Sequence, residues 1–179
     1  TVASIVLTLV RRSRRVLFPL WGDFIGLAPA GIGGLFGISY LVEMALVYPG
    51  GWIMDNWGRK KSALPCLLLF VVGFLLLPFA RTPLLFGGVM VLVGVGNGLG
   101  SGINMTLSTD LAPPGRVVEF LAVWRTLMEA GGAASPVIVG YAAATFGLVG
   151  APPALAVIGI AGALVMAFGM QETLKRREG

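Results

Sequence analysis

The stretch "GGWIMDNWGRKKS", residues 50–62, separates two long apolar runs with one acid, Asp55, and three consecutive cations, Arg59, Lys60 and Lys61. A membrane-crossing helix requires about 20 mostly apolar residues, and the runs on both sides approach that length. Lysine and arginine concentrate in the loops of membrane proteins that face the cytoplasm. The stretch therefore predicts a tight cytoplasmic connection between two membrane-crossing helices.

The composition of the whole chain is that of an integral membrane protein. Of its 179 residues, 56% are hydrophobic and only 12% are charged, whereas soluble domains carry about 25% charged residues. The cations cluster between apolar runs and do not follow one amphipathic face with interleaved aromatics. This distribution argues against a nucleic-acid-binding protein.

The residue types that carry most enzyme and metal chemistry are scarce. The chain has no histidine, which is the commonest metal ligand and general base, and a single cysteine, Cys66, inside an apolar run. We therefore expect no enzymatic activity, no metal centre and no cofactor. The chain begins at Thr1 without a methionine or a signal-peptide pattern, from which we expect a fragment or a processed chain.

Six apolar segments are separated by short breaks, which predicts one all-α domain of six transmembrane helices with a cytoplasmic tail at 171–179. The predicted segments are 1–21, 32–54, 63–80, 84–107, 120–146 and 148–170. Loops 55–62 and 108–119 and the C-terminus together hold seven cations, whereas the opposite loops hold only Arg81. The positive-inside rule places this basic set in the cytoplasm and requires segment 1–21 to cross. We expect a plasma (inner) membrane protein.

The spacing Gly51-x-x-x-Asp55-x-x-Gly58-Arg59-Lys60-Lys61 resembles the signature loop of the major facilitator superfamily. The resemblance implies that these residues, apart from Lys61, form a conformational latch on the cytoplasmic side. Gly51 is expected to let two helices touch, and Gly58 to permit the chain reversal. Asp55 is expected to pair with Arg59 near a helix N-terminus, while the lysines stay with headgroups and water.

Two later stretches indicate which half of the twelve-helix fold is present. Residues 93–116 resemble the tenth helix of drug:proton antiporters, and residues 123–140 resemble the eleventh. The chain is thus similar to the C-terminal half, helices seven to twelve, with an N-terminal six-helix half as its partner.

The resemblance implies a secondary active transporter that moves a small molecule by alternating access, with proton-coupled export as the favoured branch. Its partners are then a small-molecule substrate, a proton or other coupling ion, and the lipid bilayer. The alternative is a half-size membrane protein that scaffolds or assembles and transports nothing.

A polar stripe in segment 84–107 extends just past its end. Asn97, Ser101, Asn104 and Ser108 are spaced i, i+4, i+7 and i+11, which is one face of a helix. This face lines a substrate cavity or forms hydrogen bonds between helices. The glycines between these residues are expected to pack against neighbouring helices.

Charged residues inside predicted spans are candidates for function. Glu43 and Glu129 are possible protonation sites, and Arg125 is spaced to pair with Glu129 along one helix.

Four arginines, Arg11, Arg12, Arg14 and Arg15, lie within segment 1–21. They form a juxtamembrane basic cluster, or else some of them face a cavity, for which Arg11 and Arg14 are the candidates. Five arginines against two glutamates within the spans predict an electropositive cavity and an anionic cargo.

Overall fold

The computed structural model describes residues 2–169, and within them the chain is helical without any strand. The helices are α1 (Val2–Phe24), α2 (Pro29–Trp57), α3 (Arg59–Leu76), α4 (Pro83–Leu99), α5 (Ile103–Asp110) and α6 (Val117–Gly169), with a 3-10 turn, Leu77–Phe79, after α3. The predicted tail 171–179, together with Met170, lies outside the described residues.

Within residues 2–169, four segments are long and apolar enough to cross a membrane. They are Pro29–Trp57, Arg59–Phe79, Pro83–Asp110 and Val117–Phe168. These segments confirm the prediction of an all-helical membrane protein, but they do not confirm its count of six crossings. Helix α1 falls outside this set, and its four arginines place many charges in its 23 residues.

Helix α6 reverses direction at Gly147, where the backbone has φ 73° and ψ 166°. A straight helix of its 53 residues would measure about 80 Å, far beyond a hydrocarbon core of about 30 Å. Before the reversal, the contacts Thr8–Met128 and Ser13–Ser135 show that α6 runs parallel to α1. After it, Gly159 lies near Val10 and Gly162 lies against Val6, so the chain returns antiparallel to α1. The reversal coincides with the boundary predicted between segments 120–146 and 148–170.

The other helices also alternate in direction. Helix α2 is antiparallel to α1, because Gly22 lies against Ile32 at one end and Arg14 contacts Glu43 further along. Helices α4 and α5 run in the same direction as α2. Arg59 at the start of α3 bonds Asp110 at the end of α5 at 2.9 Å. The basic connections after α2 and after α5 therefore meet at one end of the bundle.

Aromatic side chains fill the opposite end. Trp21 and Phe18 of α1 and Phe74 of α3 are fully buried, as is Phe86 of α4. The Phe18 ring lies 6.3 Å from that of Phe74 and 5.9 Å from that of Phe86. The Trp21 indole donates a 2.9 Å hydrogen bond to the Ala80 carbonyl, so this end of α1 is held by both apolar and polar contacts.

Glycines of α4 bring this helix against the backbone of α2, as expected for small residues between membrane helices. A Cβ on Gly94 would lie 2.8 Å from the Ser39 carbonyl oxygen, and one on Gly98 would lie 2.7 Å from that of Glu43. This close approach fixes the separation of the two helices at the depth of Glu43.

The close contact expected of Gly51 is made by its neighbour. A Cβ on Gly50 would lie 2.8 Å from the Gly98 carbonyl oxygen and 2.9 Å from Leu99, whereas one on Gly51 would meet nothing within 4 Å. Consecutive residues point about 100° apart around a helix. The two glycines therefore face different surroundings, and the prediction for Gly51 is wrong in this contact.

Gly50→Ala should destabilise the protein, because the added methyl group meets backbone atoms of α4 that cannot rotate away. We expect a loss of about 1–3 kcal/mol, as in other overpacked sites. Gly51→Ala is the matched control and should be neutral or slightly stabilising, since alanine favours a helix over glycine. Thermal unfolding of the two purified variants in detergent measures the difference. Equal melting temperatures for both would contradict this packing.

Candidate functional site

A cavity of about 210 Å³ lies among α1, α2, α4 and α5. Most of its lining is polar or charged: Thr8, Arg11, Arg12, Arg14, Arg15, Tyr40, Glu43, Asn97 and Asn104. Glu43 is the central residue of the 29-residue helix α2, with about 21 Å of helix on each side. The cavity therefore lies at the middle depth of this apolar helix.

Arg14 is the most deeply buried charge of the cavity, with 3% of its side chain exposed. Its guanidinium lies 3.3 Å from the Glu43 carboxylate and donates a 2.6 Å hydrogen bond to the Ser39 hydroxyl. It also lies 5.7 Å from the ring centre of Phe36 and 5.2 Å from that of Tyr40. A carboxylate, a hydroxyl and two aromatic faces thus replace the water that the cation loses.

Arg11 connects this pair to the end of α4. It donates to the Asn97 side-chain oxygen and, at 3.1 Å, to the Gly100 carbonyl. The Asn97 amide in turn donates to Glu43. The carbonyl groups at a helix C-terminus carry partial negative charge, so Arg11 is stabilised by α4 without a carboxylate of its own.

The depth of these contacts decides between the two interpretations of the arginines. Arg14 contacts Glu43 at the middle of α2, and Arg11 contacts Asn97, which is near the middle of the membrane-length segment Pro83–Asp110. These contacts favour cavity-facing arginines over a juxtamembrane basic cluster. All four arginines of α1 line the cavity, including Arg12 and Arg15, which the sequence did not single out.

The polar stripe predicted from 97 to 108 is not one continuous face. The chain leaves the helix after Leu99 and resumes at Ile103, with Gly102 at φ 82°, a conformation that favours glycine. Ser101 lies in this break and does not line the cavity.

Two other members of the stripe make hydrogen bonds. The Asn104 amide lines the cavity and donates a 2.8 Å bond to the Thr8 hydroxyl. Ser108 is buried, and its hydroxyl donates to the Met105 carbonyl within α5. Asn97 and Asn104 therefore line the cavity and also bond neighbouring helices.

Glu129 pairs across helices and not along its own. Its carboxylate lies 2.6 Å from the Arg12 guanidinium, which corrects the expected pair with Arg125. Glu129 pairs with Arg12 and not with Arg125 because α1 lies directly beside this part of α6. The pair is open to the surroundings, with 35% of the Arg12 side chain and 57% of the Glu129 side chain exposed. Glu129 lies in a separate shallow groove with Arg125 and is not part of the cavity lining.

The signature loop contains a stronger ion pair than the predicted one. Arg59 lies 3.9 Å from Asp55, which is 70% exposed, but only 2.9 Å from Asp110, which is 23% exposed. Arg59 also donates to the Met54 carbonyl at 3.1 Å. Asp110 was missed because it is 51 residues away in sequence. Its only sequence signal is that it is an acid within the other predicted cytoplasmic loop, 108–119.

Gly58 separates α2 from α3 with φ 107°, a backbone conformation that suits glycine at a reversal. Lys60, expected to remain with headgroups and water, donates to the Ala167 carbonyl in the last turn of α6. The signature loop therefore contacts both α5 and the end of α6.

The sequence matches the family profile described as Major Facilitator Superfamily over residues 1–178. It is 34% identical over 83 residues to inositol transporter 4 of Arabidopsis thaliana, which covers 46% of this chain and 14% of that protein. It is 35% identical over 65 residues to solute carrier family 2, facilitated glucose transporter member 8, of Mus musculus, which covers 36% of this chain and 14% of that protein.

A third relative is named for a different cargo. The chain is 27% identical over 110 residues to a multidrug resistance protein B homolog of Mycobacterium tuberculosis, which covers 61% of this chain and 20% of that protein. The matched regions therefore span between 14% and 20% of the length of these three relatives.

The two glutamate–arginine pairs should differ in their contribution to stability. Glu43→Ala leaves Arg14 buried without a carboxylate, and we expect a loss of about 3–5 kcal/mol. Glu129→Ala removes a partner from an exposed pair and should leave the stability nearly unchanged. Thermal or denaturant unfolding of both variants in detergent tests the contrast. A Glu43 variant as stable as the Glu129 variant would show that Arg14 does not depend on Glu43.

Proposed function

Because the chain belongs to the major facilitator superfamily, we propose that it forms six membrane crossings of a secondary active transporter for a small molecule. The observation that carries the proposal is the cavity at the middle depth of α2, lined by charged and amide side chains from four helices. Charged side chains at this depth of a membrane segment usually line a substrate or ion pathway. The family match over nearly the whole chain supports the same function.

The proposed six crossings are α1, α2, α3, α4 with α5, and the two parts of α6 on either side of Gly147. Their alternating directions support this count. We propose that α1 crosses despite its arginines, because three of them have polar partners on other helices. We place the signature loop and the loop after α5 in the cytoplasm, since both are basic.

We propose that the signature loop stabilises one state of an alternating-access cycle. Arg59 joins the end of α2 to the end of α5 through Asp110, and Lys60 joins the start of α3 to the end of α6. These contacts favour a closed arrangement of this end, and separation of the helices would break them. The N-terminal half of the twelve-helix fold is the proposed partner across the cavity.

We propose proton-coupled export as the transport mode. The multidrug resistance relative and the similarity of residues 93–116 to drug:proton antiporters support export. The inositol and glucose transporter relatives are compatible with uptake. The direction of transport is therefore read from the gradient-driven flux measured below. We assign the coupling proton to Glu43 and not to Glu129, because only Glu43 lines the cavity. Proton uptake at Glu43 would release Arg14 and so change the contact between α1 and α2.

Neutralising the Arg14–Glu43 pair should separate transport from proton coupling. Arg14→Gln with Glu43→Gln keeps the local charge balance, so we expect the full-length protein to fold and to exchange substrate across proteoliposomes. We expect it to lose accumulation driven by a pH gradient, whereas Glu129→Gln should retain it. Radiolabelled counterflow and gradient-driven flux measure the two activities. Retained accumulation in the double variant would remove Glu43 as the proton site, and absence of any flux by the wild type would favour the scaffold alternative.

The ion pair of Arg59 with Asp110 should hold the signature-loop end closed more strongly than its pair with Asp55. Asp110→Asn should shift the equilibrium toward the open state by about tenfold, as expected when a hydrogen bond to a charged group is weakened. Asp55→Asn should shift it less and leave membrane insertion intact. Spin labels at the exposed positions 57 and 118, with Cys66 replaced, report the opening as a distance distribution. A larger effect of Asp55→Asn would return the latch to the pair predicted from sequence.

A further inference from the structure

The four arginines that line the cavity differ in what their guanidinium groups contact. Arg12 and Arg14 each contact a carboxylate. Arg11 is held by the Asn97 side chain and by the Gly100 carbonyl at the end of α4. Arg15 is exposed to the cavity, and among residues 2–169 it has no hydrogen bond or ion pair. Arg15 is thus the cavity arginine whose donors are available to a bound molecule.

The cavity also carries an excess of positive charge. Four guanidinium groups line it, and two carboxylates contact them, Glu43 within the lining and Glu129 beyond it. The remaining two positive charges correspond to Arg11 and Arg15. These residues are four apart on α1 and share one face of the helix. A cleft with an excess of one sign of charge attracts ligands of the opposite sign.

The burial of Arg14 changes which residues can select the cargo. The sequence pointed to Arg11 and Arg14, but Arg14 is 3% exposed and its contacts are Glu43, Ser39 and two aromatic rings. A substrate would have to displace these partners in order to reach it. Among residues 2–169, Arg15 has no hydrogen-bond or ion-pair partner that a substrate would have to displace.

We propose that the transported molecule carries an anionic group, such as a carboxylate, phosphate or sulfate, and that Arg15 is the residue that binds it. The planar guanidinium presents paired donors that match the oxygen atoms of such groups. This inference rests on the proposed transport function, and it assigns substrate charge to one side chain. Arg15 follows Arg14 in the chain, and Arg14 is level with the centre of α2. A lipid headgroup at the membrane surface is therefore about 20 Å from Arg15 along the helix axis.

Three probes of similar size and different charge test the proposal: benzoate, its neutral amide benzamide, and the cation benzylamine. The full-length protein is reconstituted in uncharged phosphatidylcholine vesicles, so that anionic lipid does not occupy the site. Counterflow of each probe is measured for the wild type and for Arg15→Gln, Arg15→Lys and Arg125→Gln. Arg125 is the matched control, because it is also an exposed arginine of a membrane helix but lies outside the cavity.

The proposal requires that benzoate be carried in preference to both other probes. Arg15→Gln should raise its KM by about tenfold or more, as loss of a hydrogen bond between charged groups implies. Arg15→Lys should retain part of the affinity, and Arg125→Gln should behave as wild type. A preference for benzamide or benzylamine, or an Arg15→Gln variant with unchanged KM for benzoate, overturns the proposal.

A binding measurement separates failure of this inference from failure of the transport function. If none of the three probes is carried, their effect on the melting temperature of the purified full-length protein decides the matter. If benzoate raises the melting temperature more than benzamide does, and Arg15→Gln removes this difference, the anion site is supported even without transport. No stabilisation by benzoate overturns the anion site. Transport of other compounds then still supports the proposed function.

Discussion

A guanidinium group cannot remain in a hydrocarbon environment without partners, and this constraint organises the region around α1. Each arginine at the centre of a membrane helix opposes insertion by about 2.5–3.5 kcal/mol. Arg14 meets the constraint through Glu43, Ser39 and two aromatic rings of α2. These partners are available because glycines of α4 let α2 and α4 approach at the depth of Glu43. Helix packing and charge compensation are therefore linked in one arrangement.

The interruption between α4 and α5 contributes to the same arrangement. By ending α4 at Leu99, the chain exposes carbonyl groups that a continuous helix would use internally. Arg11 donates to one of them, the Gly100 carbonyl, and to Asn97. A cation of α1 is thus held by the end of a broken helix, and the amide of Asn97 connects it with the Arg14–Glu43 pair. Residues of three helices form one polar network beside the cavity.

The two ends of the bundle are held by different physical interactions. The signature-loop end relies on ion pairs and carbonyl contacts of Arg59 and Lys60, and the other end relies on buried aromatic rings around Phe18 and Trp21. The Arg59–Asp110 pair is partly buried, with 13% and 23% of the two side chains exposed, and a single such pair contributes less stability than the burial of several aromatic side chains. This asymmetry is consistent with a proposed cycle in which the signature-loop end opens and closes.

The sequence by itself determined the class of the protein, because composition, hydrophobic periodicity and charge between segments are local properties that a chain carries into any membrane. The signature spacing likewise identified the family without any coordinates. The sequence also identified Arg11, Glu43, Asn97 and Asn104, since a polar residue within an apolar run is conspicuous. It did not determine partners: Arg59 bonds Asp110, Glu129 bonds Arg12, and Gly50 and not Gly51 packs against α4. Those outcomes depend on which helices are neighbours and on how each helix is rotated about its axis. Consecutive residues point about 100° apart around a helix, so one of them can contact a neighbouring helix while the next faces open space. Only the tertiary structure decided them, and with them which cavity arginine has no hydrogen bond or ion pair among residues 2–169.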